Sequence, residues 1–507
     1  MFYRPPIAIY TSVSRRKFLE WGGAAASMLG RGSIAVGLGS TIVRHPVHAA
    51  SSDDAKWKQY SGSKLVFLSE NTPPSFAIRD NIKAFYDLTG IEVQILTDDL
   101  PVVQQKAGID LRSGKADYVL NYVQDKPWSA FADFYVDLTK MMGDNTLPQD
   151  PEGYAEGAWF DNFLKVCGTF YTQGKIIALP YDSAVACTFY RQDVFEKNTK
   201  AFEAEHGYRM EFSKDTTWKQ VLDYAKFLKK LKGQGADVPY GYAQHMGSFA
   251  WTTQLDVQRL MFSHGRWIDF NIDDKLGSKK PGKTNWGDKQ SVLMLEKFKE
   301  FGDASHPDNL ANGTLELNTL YQSGAIAMQV QYHEFAASVE DESKSRAAGG
   351  KTAYAPCPKG EASWILNGGQ AVNGTNCGIG GIGINKNASE NLQRAAYLFA
   401  IWSTSKNVQY DVLKGRGGTP TRKSVFGMPG VAEARHRPTK MPNALTFDAV
   451  YDYGIRDPHL VLGPKIPEAN EYHTLIAAEL QKMLANKQKP AETAVSIRKQ
   501  LDDLNHA

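Results

Sequence analysis

The stretch that decides the fold runs from residue 174 to residue 193 and reads GKIIALPYDSAVACTFYRQD. Two apolar segments, residues 175–179 and 184–190, have the composition of β-strands and flank a short break at residues 180–182. Pro180 has no backbone N–H to donate and keeps the preceding residue extended, so we expect the first strand to end there while the chain continues forward. The stretch therefore predicts a crossover between two lobes.

The segments before this crossover alternate between strand and helix patterns. Strands are predicted at residues 64–68, 91–95 and 118–120, and helices at residues 78–89 and 102–112. This β-α-β-α-β order is typical of a parallel sheet with helices on both faces.

The alternation resumes after the crossover. Thr217 and Gln220 predict a capping box, and Asn387 is expected to cap a later helix. Further strands are predicted at residues 240–243, 324–330 and 379–385, further helices at 292–301, 472–485 and 491–504, and further crossovers at 354–374 and 415–424. We therefore predict a two-lobe α/β fold, each lobe a mostly parallel sheet flanked by helices.

The composition is that of a soluble globular protein, with 42% hydrophobic and 22% charged residues. The length of 507 residues exceeds what one core usually supports, so two or three packing units are expected. The net charge of +3 includes +5 from residues 1–49, which leaves −2 on the rest. A nearly neutral chain lacks the excess of positive charge that is typical of proteins that bind nucleic acid or an anionic membrane.

Residues 1–49 have the pattern of an export signal. Arg15 and Arg16 precede a weakly hydrophobic stretch rich in Gly and Ala, which resembles a twin-arginine signal of the kind that exports folded proteins. Small residues around Ala49 predict cleavage there. No later segment has about 18 uninterrupted apolar residues, so we expect a mature periplasmic protein that starts at Ala50 and has no membrane anchor.

The four cysteines, Cys167, Cys187, Cys357 and Cys377, all lie in the mature part of the chain. An oxidising compartment permits disulfides, and four cysteines allow three pairings. The local pairing, Cys167 with Cys187 and Cys357 with Cys377, is the one we expect. Metal binding is the weaker interpretation because there is no CxxC or nearby pair of histidines.

A search for enzyme motifs yields one match, which we interpret as a decoy. Gly378, Gly380 and Gly383 fit GxGxxG, but no helix pattern opens directly after them and residue 403 is Ser rather than an acidic residue. A tight crossover that feeds a strand explains these glycines better. We therefore expect neither a cofactor nor catalytic residues, and we predict no metal site.

Polar and aromatic residues recur directly after the predicted strands, where parallel sheets bind their ligands. Four strand ends carry them: Ser69, Glu70 and Asn71; Asn121, Tyr122, Asp125 and Trp128; Gln244, His245 and Trp251; and Gln331, Tyr332, His333 and Glu334. A sugar needs this mixture, because its hydroxyls bind carboxylates and amides while its CH face packs on aromatic rings. The coincidence across four strand ends predicts a carbohydrate site.

At this point the chain resembles the extracellular solute-binding proteins of sugar-type ABC importers, the family that includes maltose-binding protein. The resemblance covers roughly residues 64–504. It rests on short matches in order: Phe85 with Thr89 to Val93, residues 113–117, residues 178–182 with Tyr190 and Asp193, Gly324 with Ala327 and Met328, Gly380 to Asn385, and residues 419–422.

The resemblance implies a periplasmic-binding-protein fold with a solute cleft between two lobes that are joined by about three crossings. Residues 57–182 and 361–415 are expected to form lobe 1, and residues 183–360 and 416–507 lobe 2. The solute is expected to be a carbohydrate or polyol, and the partner the permease subunits of an ABC transporter. We expect a monomer.

The resemblance also implies which residues face the solute. Those expected are Glu70, Tyr122, Asp125 and Trp128 from lobe 1; His245, Trp251, Gln331 and Tyr332 from lobe 2; and Tyr181, Asp182, Trp364, Gly380 and Gly381 near the crossings. Two alternatives stay open: an exported glycan hydrolase, which needs two carboxylates flanking a scissile bond, and the same fold binding a peptide, polyamine or metal complex.

Overall fold

The structure is a computed structural model that describes residues 54–124, 128–154, 156–160, 162–171, 174–234, 237–247, 250–265, 282–415, 418–461 and 465–505. The predicted export signal at residues 1–49 and the predicted site residue Asp125 lie outside the described residues.

Nine strands in the described residues form one mixed sheet. They are β1 (Lys64–Glu70), β2 (Glu92–Asp98), β3 (Leu120–Gln124), β4 (Ala178–Arg191), β5 (Tyr240–Tyr242), β6 (Ile326–Tyr332), β7 (Thr352–Ala355), β8 (Thr375–Ile384) and β9 (Leu460–Val461). The main order is β2-β1-β3-β8-β4-β6-β5, with β7 paired to β4 and β9 to β8. The outer pairs β1-β2, β1-β3 and β5-β6 are parallel, whereas β8 and β4 pair antiparallel with their main neighbours in the middle of the sheet.

Strand β4 joins the two halves of the sheet. Its first half pairs with β8 and its second half with β6 and β7. The sequence analysis expected a break at residues 180–182, but β4 is continuous, and its register against β8 shifts between Pro180 and Asp182. The bulge places Tyr181 as an extra residue, which lets the chain pass a proline that has no N–H to donate without leaving the sheet.

Helices lie between the strands. The first group is α1 (Asp54–Lys58), α2 (Pro73–Asp80), α3 (Ile82–Thr89), α4 (Leu100–Ser113), α5 (Thr139–Met142), α6 (Gln192–His206), α7 (Trp218–Lys230), α8 (Ala250–Ser263) and α9 (Lys289–Ala304). The second is α10 (Thr314–Gln322), α11 (Ala336–Glu340), α12 (Glu390–Ser403), α13 (Lys406–Lys414), α14 (Val431–Ala434), α15 (Phe447–Ala449), α16 (Ala469–Leu484) and α17 (Pro490–Asn505). Among the described residues, none of these helices combines the length and the apolar character that crossing a bilayer requires.

The predicted capping box at the start of α7 is confirmed. Thr217 Oγ1 accepts from the Gln220 N–H at 3.3 Å, and the Thr217 N–H donates to Gln220 Oε1 at 2.8 Å. The cap of α12 is Ser389 rather than the predicted Asn387. The side chain of Asn387 is engaged elsewhere, since its Nδ2 donates to the Leu111 carbonyl at 2.9 Å.

Two large hydrophobic clusters carry the fold. The first surrounds β1, β3 and the first half of β4 and includes buried residues between Val425 and Leu460. The second contains the apolar faces of α7, α9, α16 and α17, together with Trp364. The segment after residue 416 therefore contributes to both clusters, and the predicted lobe boundaries stay a prediction.

The expected disulfides are absent. The side chains of Cys167, Cys187, Cys357 and Cys377 are all buried, and none is joined in a disulfide. Cys167 packs beside Gly381, opposite the start of β4, whereas Cys187 lies in the far half of that extended strand, about 20 Å away at strand rise. Cys357 Sγ donates instead to the Ala186 carbonyl at 3.5 Å. The local pairing was wrong because an extended strand separates residues that are close in sequence.

The glycines of the GxGxxG match lie inside β8. They therefore do not form the turn between a strand and a helix on which a dinucleotide site depends. At Gly380 the reason for a glycine is visible: a Cβ there would lie 2.5 Å from Tyr122 Cζ. The missing side chain lets the Tyr122 ring lie directly against the strand. This contact fixes an aromatic ring at the end of β3.

Replacing Gly380 with Ala tests this packing. The added methyl group must displace the Tyr122 ring, so we expect a loss of about 1–3 kcal/mol in the free energy of unfolding, measured by urea denaturation. Gly427→Ala is the matched control, because a Cβ there meets no atom within 4 Å; its effect should stay within about 0.5 kcal/mol. Equal stability of the two variants would contradict the close approach at Gly380.

Candidate functional site

A cavity of about 460 Å³ lies where the ends of β1, β3 and β6 meet, between the two halves of the sheet. Its volume is in the range of small-molecule sites. Its walls come from both halves and its base from the middle of the sheet, where Ala184 of β4 and Gly378 of β8 line it. The cavity is thus bounded by the two strands that connect the halves.

The first wall is built from the ends of β1, β2 and β3. Glu70 ends β1, and Thr72 caps α2 through a 3.4 Å hydrogen bond from the Ser75 N–H to Thr72 Oγ1. Asp99 is the N-cap residue of α4, and the hydroxyl of Tyr122 in β3 lies close enough to the Glu70 carboxyl group to lower its pKa. This wall presents carboxylate, hydroxyl and aromatic groups.

The second wall comes from the end of β6 and the start of α10. Tyr332 ends β6, and Glu334 and Phe335 follow it in a short 3₁₀ turn. Glu316, at the exposed rim, caps its own helix by accepting from the Gly313 N–H at 3.1 Å. This wall repeats the chemistry of the first, with two rings beside two carboxylates.

Tyr181, the extra residue of the β4 bulge, fixes the junction beneath the first wall. Its hydroxyl lies 2.7 Å from Ser69 Oγ and 2.8 Å from Ser75 Oγ. Its ring packs edge-on against Tyr122, with centroids 6.0 Å apart. Tyr181 therefore positions a ring of the wall and ties β1 and α2 to β4.

The polypeptide around the bulge is also held by the segment that was predicted as the third crossover. Thr421 Oγ1 donates to the Pro180 carbonyl at 2.8 Å, and the Ser183 N–H donates to Thr419 Oγ1 at 3.2 Å. Ser183 Oγ and the Tyr451 hydroxyl are 2.7 Å apart. These contacts satisfy backbone groups that the irregular register of β4 leaves outside the regular ladder.

Three carboxyl groups, those of Glu70, Asp182 and Glu334, converge next to the cavity and influence one another. Burial, followed by the charge of Asp182, raises the pKa of Glu70 to about 8, while the Tyr122 hydroxyl opposes the shift. Burial raises the pKa of Asp182 to about 7, with Thr72 opposing. Burial and the charges of Asp182 and Glu70 raise the pKa of Glu334 well above its ordinary value.

Two of these carboxyl groups are poorly satisfied within the protein. Asp182 is completely buried, and neither of its oxygens makes a well-formed hydrogen bond with a described residue, although Thr72 is near enough to lower its pKa. Glu334 is 8% exposed, and its Oε2 has no partner among the described residues. Buried carboxyl oxygens of this kind are costly unless a donor reaches them.

The structure gathers some of the predicted site residues at the cavity. Glu70, Tyr122 and Tyr332 line it. A second group lies behind the lining: Trp128 packs edge-on against Tyr122 with centroids 5.9 Å apart, Gln331 Nε2 donates to the Thr314 carbonyl at 2.9 Å, and Tyr181 and Asp182 lie at the β4 bulge. These residues position the lining rather than form it.

Other predicted residues lie apart from the cavity lining. His245 is buried against Asp256, with its Nδ1 3.3 Å from Asp256 Oδ1, and Arg259 pairs with the same carboxylate. Trp364 stacks on His264 at 5.5 Å, with Lys297 Nζ 4.7 Å from its ring centroid. Gly380 and Gly381 lie within β8, where Gly378 is the glycine that lines the cavity. Trp251 is on α8, and its side chain is not among the described ones.

Several lining residues were missed by the sequence analysis. Asp99 follows β2, a strand end that the search for polar residues passed over, so the same rule would have found it. Glu334 was noted after β6 but not chosen. The start of α10, residues 313–316, could not be found this way because it follows a 3₁₀ turn (Pro307–Ala311) rather than a strand.

Within the described part of the chain, no group of three His, Cys, Asp or Glu side chains has an arrangement suited to a metal ion.

The buried carboxyl groups make the stability of the unliganded protein depend on pH. The pKa of Glu70 rises from 4.5 to about 8 on folding, so between these values the folded state binds more protons than the unfolded state. The contribution of the Glu70 carboxyl group to the free energy of unfolding is fully present at low pH and is lost as pH rises through that window. We expect a lower melting temperature at about pH 8 than at about pH 5.

Glu70→Gln removes this titrating group. Its melting temperature should depend less on pH than that of the wild type and should exceed it at about pH 8, where the wild type holds a buried charge. Glu203→Gln, on the exposed face of α6, is the control and should follow the wild-type profile. Identical profiles for wild type and Glu70→Gln would mean that Glu70 takes up no proton on folding.

With this geometry established, comparison with known proteins identifies the family. A family profile described as "Bacterial extracellular solute-binding protein" matches residues 81–439. A relative in Sinorhizobium fredii (strain NBRC 101917 / NGR234), named "Probable amino-acid ABC transporter periplasmic-binding protein", is 23% identical over 470 residues, which cover 91% of this chain and 93% of the relative.

Solved structures share the two-lobe fold. An ABC transporter solute-binding protein from Agrobacterium radiobacter K84 in complex with ribitol superposes with a TM-score of 0.67 at 19% identity and covers 88% of this chain and 99% of that one. Maltose-bound MalE3 from T. maritima gives 0.68 at 19% identity, covering 87% and 100%. A mannitol-bound solute-binding protein from Agrobacterium vitis S4 gives 0.65 at 18% identity, covering 87% and 98%. Because the family profile spans more than half of the sequence, the chain belongs to the family of bacterial extracellular solute-binding proteins.

Proposed function

We propose that the protein captures a carbohydrate or polyol in the cavity between the two halves of its sheet and delivers it to the permease of an ABC importer. The observation that carries the proposal is the lining itself, in which carboxylates and aromatic rings face each other from two separate walls. A solute between these walls contacts both halves at once, so binding favours the closed arrangement.

The lining suits a polyhydroxylated solute. Glu70 and Glu334 offer carboxyl oxygens to hydroxyl donors, and the Gln124 amide offers both a donor and an acceptor. Tyr122 and Tyr332 offer ring faces or edges to the CH groups of a sugar. Hydroxyl groups that replace water in this enclosed space satisfy oxygens that the protein leaves unpaired.

The lining supports a sugar or polyol more than an amino acid. Three proteins of the same fold bind ribitol, maltose and mannitol. The relative named for amino-acid transport is 23% identical and those three proteins are 18–19% identical, so sequence identity does not decide between the two solute classes and the lining has to. An amino acid brings a carboxylate, and the described lining of this cavity has four acidic residues and no Lys or Arg to pair with it.

The protein is proposed to bind its solute without converting it. A glycan hydrolase also uses carboxyl groups with raised pKa values. Because Glu70 and Glu334 have such pKa values, hydrolysis of a bound glycan is the alternative that has to be tested. Membership in a family of solute-binding proteins favours capture and release. Quantitative recovery of intact di- or oligosaccharide after prolonged incubation would support binding alone, and release of monosaccharide would overturn it.

Titration with sugars tests the proposed function. A solute that binds the folded state at about 100 times its Kd adds about 2.7 kcal/mol of stability, so we expect a rise in melting temperature together with a change in tryptophan fluorescence. The panel comprises mono-, di- and oligosaccharides and polyols such as ribitol and mannitol. A panel without any stabilising compound would refute the assignment to carbohydrates and polyols.

A substitution in the lining sharpens this test. Tyr332→Ala removes a ring that lines the cavity, and we expect the Kd for the best compound to rise about 10-fold or more. Tyr86→Ala is the matched control, since Tyr86 is 50% exposed on α3 and does not line the cavity. Equal losses in both variants would place the binding site elsewhere.

The protein is further proposed to reach the periplasm through the twin-arginine pathway. Replacing Arg15 and Arg16 together with Lys keeps the charge and removes the paired guanidinium groups. We expect the variant to remain in the cytoplasm as uncleaved precursor, measured by fractionation and by the mass of the N-terminal peptide. Normal export of this variant would contradict a twin-arginine signal.

A further inference from the structure

The wall of the cavity carries charge of one sign. Glu70, Asp99, Glu316 and Glu334 line it, and the described lining residues include no Lys, Arg or His. Asp99 and Glu316 are exposed at the rim, whereas Glu334 is nearly buried. Like charges in an enclosed, poorly hydrated space repel one another more strongly than in water, so this arrangement is costly until a positive charge or protons compensate it.

The protein itself supplies little compensation. Among the described residues, the charges that shift the pKa values of Glu70 and Glu334 are those of other carboxyl groups, and burial is the main cause of the shift at Asp182. Both oxygens of buried Asp182 and Oε2 of Glu334 lack partners among the described residues. These atoms are acceptors held ready for donors from outside the protein.

The helix N-termini at the cavity do not balance this charge. The N–H of Gly313 at the start of α10 donates to Glu316, and that of Ser75 in α2 donates to Thr72. A helix N-terminus carries about half a positive charge, which falls off within the first turn. The N-terminus of α4 also lies at the cavity and has no side-chain cap, but its N-cap residue is Asp99, whose carboxylate opposes an anionic solute.

The choice between neutral and cationic solutes depends on charge and donor count. A hydroxyl brings one donor and no charge, and its entry removes water from the carboxylates that it contacts. An ammonium brings three donors and a full positive charge, and its hydrogen bonds to carboxylates are about twice as strong as neutral ones. Oε2 of Glu334 belongs to a residue that lines the cavity and has no partner among the described residues, which favours the ammonium.

We propose that the solute carries a protonated amino group beside its hydroxyls, as amino sugars and amino polyols do, and that the carboxyl groups of Glu70 and Glu334 bind that group, with Asp182 buried behind them. This inference rests on the proposed function and narrows its solute class. The rings of Tyr122, Tyr332 and Phe335 argue against an open polyamine, because they offer apolar surface suited to the CH groups of a sugar.

Calorimetric titration with matched compounds tests the inference. The pairs are D-glucosamine against D-glucose and 1-amino-1-deoxy-D-glucitol against D-glucitol, with N-acetyl-D-glucosamine as a neutral amide and putrescine as an amine without hydroxyls. In at least one pair we expect the amine to bind about 10-fold or more tightly than its neutral partner, and more tightly than either control. Equal or tighter binding of the neutral partners, or tightest binding of putrescine, overturns the inference.

Proton release gives a second, independent readout. The pKa values of Glu70 and Asp182 are about 8 and about 7, so part of this group is protonated near neutral pH in the unliganded site. An ammonium stabilises the ionised carboxylates, and the displaced protons pass to the buffer. Titrations in buffers of different ionisation enthalpy should therefore show proton release for the amine; release of no protons, or uptake, contradicts the inference.

The Glu334→Gln variant tests whether the preference for the amine over its neutral partner arises in this cavity. It keeps the shape of the side chain and removes its charge, so the preference for the amine should fall about 10-fold while the affinity for the neutral partner changes less. Glu203→Gln, on exposed α6, is the control. If Glu334→Gln does not fold, Glu70→Gln takes its place. A preference unchanged in the folded variant overturns the inference.

The outcomes separate the two proposals. Binding of neutral sugars or polyols without a gain for the amines leaves the proposed function standing and overturns only the amino-group inference. Failure of every sugar and polyol, amino or neutral, to bind overturns both.

Discussion

The structure depends on the passage of β4 from one half of the sheet to the other without a break. A proline in the strand and a bulge beside it disturb the regular ladder, and nearby side chains make up for the loss: Thr421 donates to the Pro180 carbonyl and Gln409 Nε2 to the Tyr181 carbonyl at 3.2 Å. Arg422 anchors that segment through a buried ion pair with Asp150 at 2.8 Å. The backbone carbonyls of the crossing are thus hydrogen-bonded, which explains how a proline can lie in the middle of a sheet.

The same crossing has an electrostatic cost. The bulge buries Asp182 completely, and its charge raises the pKa of Glu70, which ends β1, and of Glu334, which follows β6 on the other side of the cavity. A core built only for stability would place apolar side chains there, because buried carboxyl groups without partners destabilise the folded state. Their position beside a cavity, with oxygens unpaired, is what links the fold to a ligand. The free energy of unfolding of the empty protein is lower because of these buried carboxyl groups.

The sequence predicted the fold well where local patterns decide it. The predicted strands and helices lie within a few residues of observed ones, since apolar periodicity and caps such as Thr217 with Gln220 are local properties, but β7, β9 and about half of the helices, α6 and α8 among them, were not predicted. Two expectations depended on long-range contacts and were wrong. The break in β4 did not occur because Thr419 and Thr421 support the strand from far along the chain. The disulfides were wrong because an extended strand separates Cys167 from Cys187.

At the site, the expectation that ligands bind just beyond the ends of the strands led to Glu70, Tyr122 and Tyr332, which line the cavity. It could not distinguish these from His245, which is buried against Asp256 and Arg259, because a strand end does not fix the direction of the side chains that follow. It also could not show that the carboxyl groups of Glu70, Asp182 and Glu334 act as one group. That depends on how the two halves meet, which no single segment encodes.

The buried thiols bear on where the chain can fold. All four cysteines are enclosed in the hydrophobic interior without a covalent link, so the native state requires no oxidant and no thiol exchange to form. Such a chain reaches the same structure in a reducing compartment and keeps it in an oxidising one. Folding can therefore be completed before the protein leaves the compartment in which it is made, and its stability afterwards does not depend on the redox conditions it meets.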